Sequence, residues 1–223
     1  MESLVQISAY RLINLAVHTL FCTSPLPSLE YFYFLLNCDS VIIDGTERFQ
    51  KQSNRNRFHI STSTGVQSLV IPLQHNNIYQ SCISEVKIAD VNNFKRTQWR
   101  CIESGYNNSP FFEFYKYDFK NVFMSEEDSL FNYNKALLNW ALKHLLTNVV
   151  VDFKTIPDFE LSDSTLSKKN ITSIKDYRIL SSEFKPVRYN QVFQYKFGFI
   201  PNLSIIDLLF NCGRASKAIL TGI

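Results

Sequence analysis

Two apolar runs flank a capped helical stretch near the start of the chain, and this pattern restricts the fold more than any other. Ala16 to Cys22 reads as a first buried strand. Pro25 and Pro27 break the chain, Ser28 stands where an N-cap belongs, and Leu29-Glu30-Tyr31-Phe32-Tyr33-Phe34-Leu35-Leu36 follows as a helix. Asn37 and Asp39 stop it, and Val41-Ile42-Ile43, bounded by turn residues, reads as a central strand. Strand, helix and strand within about thirty residues predict a βαβ unit with a parallel strand pair.

Further along, Arg55 to Ser61 alternates, with Phe58 and Ile60 on one face and Arg57 and His59 on the other. A Ser/Thr-rich turn with Gly65 sends the chain back through Val66 to Leu73, which predicts a hairpin, and Val86-Lys87-Ile88 offers a further short strand. From Asp90 the period is helical. Trp99, Ile102 and Tyr106 recur at helical spacing, Ser109-Pro110 opens a second helix, and Ser125-Glu126-Glu127-Asp128 places acids at the start of a third. Residues 149–177 read as an irregular connection and 187–200 as an extended aromatic stretch; Asn202 or Ser204 then caps a closing helix that Gly213 stops. The expected fold class is α/β or α+β in a single domain, a mixed β-sheet covered by helices. Strands are expected near 17–22, 40–44, 55–61 and 67–73, and helices near 28–37, 92–106, 110–120 and 127–146.

Composition narrows the chemistry. Six glycines in 223 residues argue against a phosphate loop built on glycine. A net charge of +3 is too mild to imply nucleic acid, and the aromatics are not interleaved with cations as single-strand binding requires. Cys22, Cys38, Cys82, Cys101 and Cys212 show no CxxC spacing, and no nearby histidine completes a zinc pattern, so no metal is expected. An odd, scattered set of cysteines points to reduced thiols and the cytoplasm. Met1 to Cys22 lacks the basic start of an export signal and is too broken for a span, so no stable membrane insertion is expected. Residues 1–16 read as a leader or an extra helix, dispensable for the fold.

The densest polar run is Phe49-Gln50-Lys51-Gln52-Ser53-Asn54-Arg55-Asn56-Arg57, between apolar segments. Donors gathered after a strand end suit an anion site; a solvated edge is the alternative. Arg55 and Arg57, two apart on a strand, point the same way and can hold a carboxylate or phosphate bidentately, or else pair with Asp44 or Glu103. Lys51 adds a point charge nearby. Glu103 and Tyr106 lie on adjacent helical turns, and Glu103 is a candidate general base or a neutraliser of the arginines. Asn202, Ser204, Asp207 and Asn211 give the closing segment polar positions that either line a cleft or face water. The histidines His18, His59, His75 and His144 have no ligand spacing, and a Cys22–His18 nucleophile pair has no identifiable orienting partner. The basic run and the closing helix are expected to share one site, with an arginine near Glu103, Asp207 or Asn211.

Three ordered blocks carry a family resemblance. The first is Leu26-Pro27, Tyr31-Phe32, Phe49-Gln50-Lys51-Gln52 and Arg55-Asn56-Arg57; the second is Trp99-Arg100, Ile102-Glu103, Tyr106 and Ser109-Pro110-Phe111-Phe112. The third is Gln191-Val192-Phe193, Gly198-Phe199-Ile200-Pro201-Asn202-Leu203-Ser204-Ile205 and Asp207-Leu208-Leu209-Phe210-Asn211. From about Leu20 to Gly213 the chain resembles the WbqC-like family, which implies one WbqC-like domain over 17–215. The resemblance also implies a transferase, since aminoacyl or glycine transfer has been suggested for members found among genes for surface-polysaccharide and O-antigen synthesis. Its implied partner is a small anionic metabolite or activated donor; no cofactor and no oligomeric state follow from it. On that reading Lys51, Arg55, Asn56 and Arg57 hold the anion with Tyr106, Asn202, Ser204 and Asn211, while Glu103 or Asp207 moves a proton. A non-catalytic anion-binding or assembly protein using the same basic site is the alternative. Many members carry His-Gln-Pro where this chain reads Phe21-Cys22-Thr23, so a mechanism resting on that histidine does not carry over. Longer members have an extra αβ segment where this chain has only the polar stretch from Asp152 to Tyr177.

Overall fold

The structure, a computed structural model, describes residues 18–74, 81–154, 166–169 and 180–222. The expected leader, His75 and most of the 149–177 connection lie outside the described residues. Strand β1 (His18–Phe21), helix α1 (Leu29–Leu36) and strand β2 (Ser40–Asp44) form the expected unit, with β1 and β2 parallel and Phe21 opposite Ile43. Val41, Ile42 and Ile43 are all buried, which is why β2 reads as a continuous apolar run. Next come β3 (Arg57–Thr62) and β4 (Gly65–Val70), an antiparallel hairpin in which Thr62 faces Gly65 across a two-residue turn.

Helices α2 (Val91–Tyr106), α3 (Phe112–Phe123) and α4 (Leu130–His144) follow, then strands β5 (Val150–Lys154) and β6 (Leu166–Lys169). The chain closes with a short α5 (Gln194–Phe197), α6 (Ile205–Cys212) and α7 (Ser216–Thr221). β5 and β6 pair in parallel with β2 and β1, so the main sheet runs β5-β2-β1-β6. The fold is thus α/β with an added hairpin: the strands assigned from sequence divide between a parallel sheet and a separate antiparallel pair.

Aromatic packing joins the helices. Phe210 of α6 lies at ring-centroid distances of 5.1 Å from Phe112, 5.3 Å from Tyr106 and 5.6 Å from Phe119. Phe112 and Phe119 come from α3, Tyr106 from α2, so one side chain of the closing block is the common neighbour of two helices. The hairpin meets α2 where an ideal Cβ on Gly105 would fall 2.8 Å from the Ser61 carbonyl oxygen.

Several local expectations are corrected. β3 begins at Arg57 because Asn54–Asn56 form a 3₁₀ turn, capped by Ser53 Oγ accepting from the Arg55 N–H. Arg55 and Arg57 therefore do not share a strand face. Lys87 and Ile88 make isolated bridges to Ser129 and Leu73 and no strand. α4 starts at Leu130, with Ser129 Oγ accepting from the Asn132 N–H at 3.4 Å, later than the acidic run suggested. Parallel strands occupy 150–154 and 166–169 where an irregular connection was expected, and 194–197 are helical within the supposed extended stretch.

Candidate functional site

The loops that leave the carboxyl ends of β1 and β2 meet above the sheet, the side on which open α/β sheets hold ligands. Their junction is Arg55. Its Nη2 donates to Glu47 Oε2 and, at 3.1 Å, to Cys22 Sγ, and its Nη1 donates to Gln50 Oε1 at 3.3 Å. Glu47 Oε1 accepts from the Thr23 N–H at 3.2 Å, and the Arg55 carbonyl accepts from Asn134 Nδ2 at 2.9 Å. Arg55 is 3% exposed and the Glu47 side chain 7%, so this is a buried ion pair that ties two loops and α4 together. Its geometry is that of a structural clasp. Neither Asp44 nor Glu103 pairs with Arg55.

Arg57 is different. It is half-buried at the start of β3, its Nε is enclosed without a hydrogen-bond partner, and its guanidinium forms no ion pair among the described residues. It lines a narrow cleft together with Ser24 and Ser28 of the β1–α1 loop, His59 of β3, and Asn202 and Ser204 at the entry to α6. The cleft is tight and partly open to solvent. The basic run and the closing block do meet here, through Arg57, Asn202 and Ser204.

The closing block is held to the β1–α1 loop by reciprocal bonds. The Leu29 N–H donates to Leu203 O at 3.1 Å, the Ile205 N–H to Pro27 O at 2.9 Å, and Ser204 Oγ to Leu26 O at 2.8 Å. Ser28 and Ser204 occupy the N-cap positions of α1 and α6, yet neither side chain caps its own helix. Asn202 caps α1 instead of α6, accepting from the Glu30 N–H at 3.0 Å. Leu26, between the two prolines, takes a φ of 43°, a left-handed conformation uncommon for leucine, and these bonds hold it there.

The other sequence-selected residues lie elsewhere. Lys51 is exposed and does not line the cleft. Asn56 Nδ2 donates to Ile71 O at 2.9 Å and pins the hairpin. Glu103 is partly exposed and pairs with Lys116 of α3 at 3.1 Å. Asn211 Nδ2 donates to Asp207 O at 2.7 Å, one turn back on its own helix. Asp207 is neither wet nor cleft-lining. It is wholly buried, and its Oδ2 accepts from the Tyr189 hydroxyl at 2.7 Å and from Gln191 Nε2 at 2.8 Å. Burial pushes its carboxyl above the usual range, while bonds from Tyr189, Gln191 and Tyr106 pull it back. The Tyr106 hydroxyl, fully buried, accepts from the Ser61 N–H at 3.3 Å, so it links β3 to this cluster.

Sequence reasoning passed over His59, Ser24, Ser28 and Glu47. His59 carried a usable signal, since the alternation that buries Phe58 and Ile60 puts His59 on the Arg57 face. Ser28 reads as a cap, and Glu47 becomes visible only when the β2–β3 connection folds back on itself beside the β1–α1 loop.

None of the five cysteines forms a disulfide, no group of three or more metal-ligating side chains gathers among the described residues, and none of their helices is long and apolar enough to cross a membrane. The fold is α/β, with a narrow cleft formed by loops that include those at the carboxyl ends of β1 and β2. The chain belongs to the WbqC-like protein family, whose model matches residues 24–178 and 173–219. It is 27% identical over 211 residues to a Mycobacterium tuberculosis protein described as "Uncharacterized protein Rv1507c", covering 84% of this chain and 90% of that one. No solved structure matches the chain.

Proposed function

We propose that the cleft binds the anionic part of a small metabolite or activated donor, with Arg57 as its cation and His59 as the group that moves a proton. One observation carries this reading: Arg57 has no ion pair among the described residues although its Nε is enclosed. A guanidinium left without a partner beside a cleft is a ready receptor for a carboxylate or phosphate. Family membership and the resemblance that accompanies it support a transferase role, aminoacyl or glycine transfer in surface-polysaccharide or O-antigen assembly. Of the residues selected from sequence, Arg57, Asn202 and Ser204 keep a substrate-binding role in this proposal.

The test is a thermal-shift screen of the protein against nucleotide sugars, acyl-adenylates, acyl-CoA compounds and simple anions, since ligands of the native state raise its stability by mass action. At least one anionic class raises Tm in the wild type and fails to do so in Arg57→Ala. An equal shift in both proteins removes Arg57 from the site. A second reading, a non-catalytic anion-binding or assembly protein, is favoured by one observation: neither Glu103 nor Asp207 lines the cleft. Turnover of a bound donor, lost in His59→Ala with binding retained, decides between the two.

A further inference from the structure

Helix α3 carries aromatic side chains on two faces. Phe112, Tyr115, Phe119 and Phe123 recur at spacings of three and four and are buried, with Trp99 of α2 and Trp140 of α4 among their neighbours. Phe114 and Tyr117 face the other way. They lie one turn apart, 68% and 73% exposed. Phe111, one turn before Phe114, is 39% exposed, and its ring packs so closely on Gly213 that a Cβ there would fall 2.6 Å from it. Single exposed apolar residues need no explanation. Three exposed rings between residues 111 and 117, on a helix whose buried face is already filled, form a contact surface.

The charges on this face have an order. Glu113 and Lys120 stand two turns apart on one flank of the exposed stripe, Phe114 and Asn121 stand two turns apart on the other, and Tyr117 lies between them. All five are exposed. Lys120 keeps to its flank with its ammonium 5.3 Å from the Trp99 ring centroid. Glu113 pairs with Lys116 at 3.3 Å, an exposed contact that a second partner readily replaces. Asp118, further round the helix, is occupied by Trp140, Lys143 and His144.

An acid near the start and a cation near the end of one flank match the same helix run in the opposite direction. A twofold axis beside Tyr117 preserves the flank and reverses the order. Glu113 of each copy then meets Lys120 of the other, and Phe114 of each meets Tyr117 of the other. A copy run in parallel sets acid against acid and cation against cation.

We infer that α3 is the contact helix of a homodimer, in which two copies of the chain pair antiparallel through Phe114 and Tyr117 with Glu113–Lys120 ion pairs along the flank. The surface shares no residue with the Arg57 cleft, so it stands whatever that cleft binds.

Analytical ultracentrifugation of the full chain at low salt, from about 5 to about 500 μM, reads the assembly. One pair of helices buries less than the roughly 1,600 Å² of a standard interface, so the dimer dissociates within that range and the mass rises from one chain towards two. Phe114→Glu and Tyr117→Glu each weaken association at least about tenfold. Both positions are exposed, and an unchanged circular dichroism spectrum shows the fold intact. Glu113→Lys and Lys120→Glu each weaken association about fivefold, and the double variant, which exchanges the charges, recovers it. A mass of one chain at every concentration overturns the inference. So does a dimer that keeps its affinity in both aromatic-to-glutamate variants, because it then uses another face. A double variant no tighter than either single one overturns the antiparallel pairing, and the inference with it.

Discussion

Glu30 and Asn202, 172 positions apart, complete one another: the Glu30 N–H donates to Asn202 Oδ1 at 3.0 Å, and Asn202 Nδ2 donates back to Glu30 Oε2 at 3.3 Å. The two form a reciprocal cap between residues far apart in the chain, and both are buried. Glu30 Oε1 accepts a further bond from the Ser181 N–H at 2.7 Å, so the carboxylate is held on both oxygens. The arrangement explains how α6 is anchored over α1 and why Asn202 and Ser204 reach the cleft.

Replacing that cap is the first prediction. Asn202→Ala strands the Glu30 N–H and removes a bond to a buried carboxylate, an expected loss of roughly 1–3 kcal/mol. Chemical denaturation measures it. An unchanged midpoint would mean that Ser28 swings in as a local cap.

Arg55 and Arg57 should respond in opposite ways. Arg55→Ala leaves Glu47 charged, buried and without its cation, and breaking such a pair costs about 3–5 kcal/mol. Arg57→Ala breaks no ion pair, so its stability cost stays under about 1 kcal/mol while anion affinity falls by roughly 1.5–3 kcal/mol. Denaturation curves and ligand titrations on both variants check this. Equal stability losses would dissolve the distinction between a structural and a functional arginine.

The contrast between these arginines also marks how far sequence carried. The βαβ unit, the hairpin and the helices of the middle region are local patterns, and residues 29–36, 40–44 and 91–106 lie where their apolar periods placed them. The basic run was legible as a candidate site for the same reason. What sequence could not supply was which cation already had a partner. Glu47 is eight residues from Arg55 in the same β2–β3 connection, at no regular helical or strand spacing, and its second bond, to the Thr23 N–H, depends on the loop after β1 lying alongside. Asp207 misled in the same way: at four residues from Asn211 it reads as half of a polar stripe, but Tyr189 and Gln191 fold over it and remove it from any surface. β5 and β6 were missed because 149–177 mixes its short apolar run with Ser, Asp and Lys, and a parallel edge strand has no hairpin turn to announce it.

Gly105 gives a packing prediction. A Cβ there would lie 2.8 Å from the Ser61 carbonyl oxygen, a backbone atom that cannot swing away. In an open helix, glycine to alanine gains about 1 kcal/mol. Gly105→Ala should instead lose roughly 1–3 kcal/mol, the cost of forcing the hairpin off α2. A rise in Tm would show that the hairpin can shift at little cost. Because Ser61 also bonds Tyr106, the lost contact should loosen β3 and reduce anion affinity at Arg57 as well.

Asp207 supplies the pH dependence. Burial raises its carboxyl above the 3.8 of an unfolded chain, so between that value and the folded one the native state holds a proton that the unfolded state has released. The protein binding more protons when folded loses stability as pH rises through this window, and the loss then stays constant at higher pH. Asp207→Asn keeps an oxygen to accept from Tyr189 and Gln191 and removes the charge. At pH 3.5 the variant and the wild type should differ little, because both then carry a neutral group at this position. From pH 4 upward the variant should become progressively the more stable, and its melting temperature at pH 8 should exceed that of the wild type. Melting curves across pH 3.5 to 8 measure the difference. A variant that melts several degrees lower at pH 8 would show that the charged carboxylate gains more from the Tyr189 and Gln191 donors than burial takes away. Asp207 would then be an anion that the fold requires.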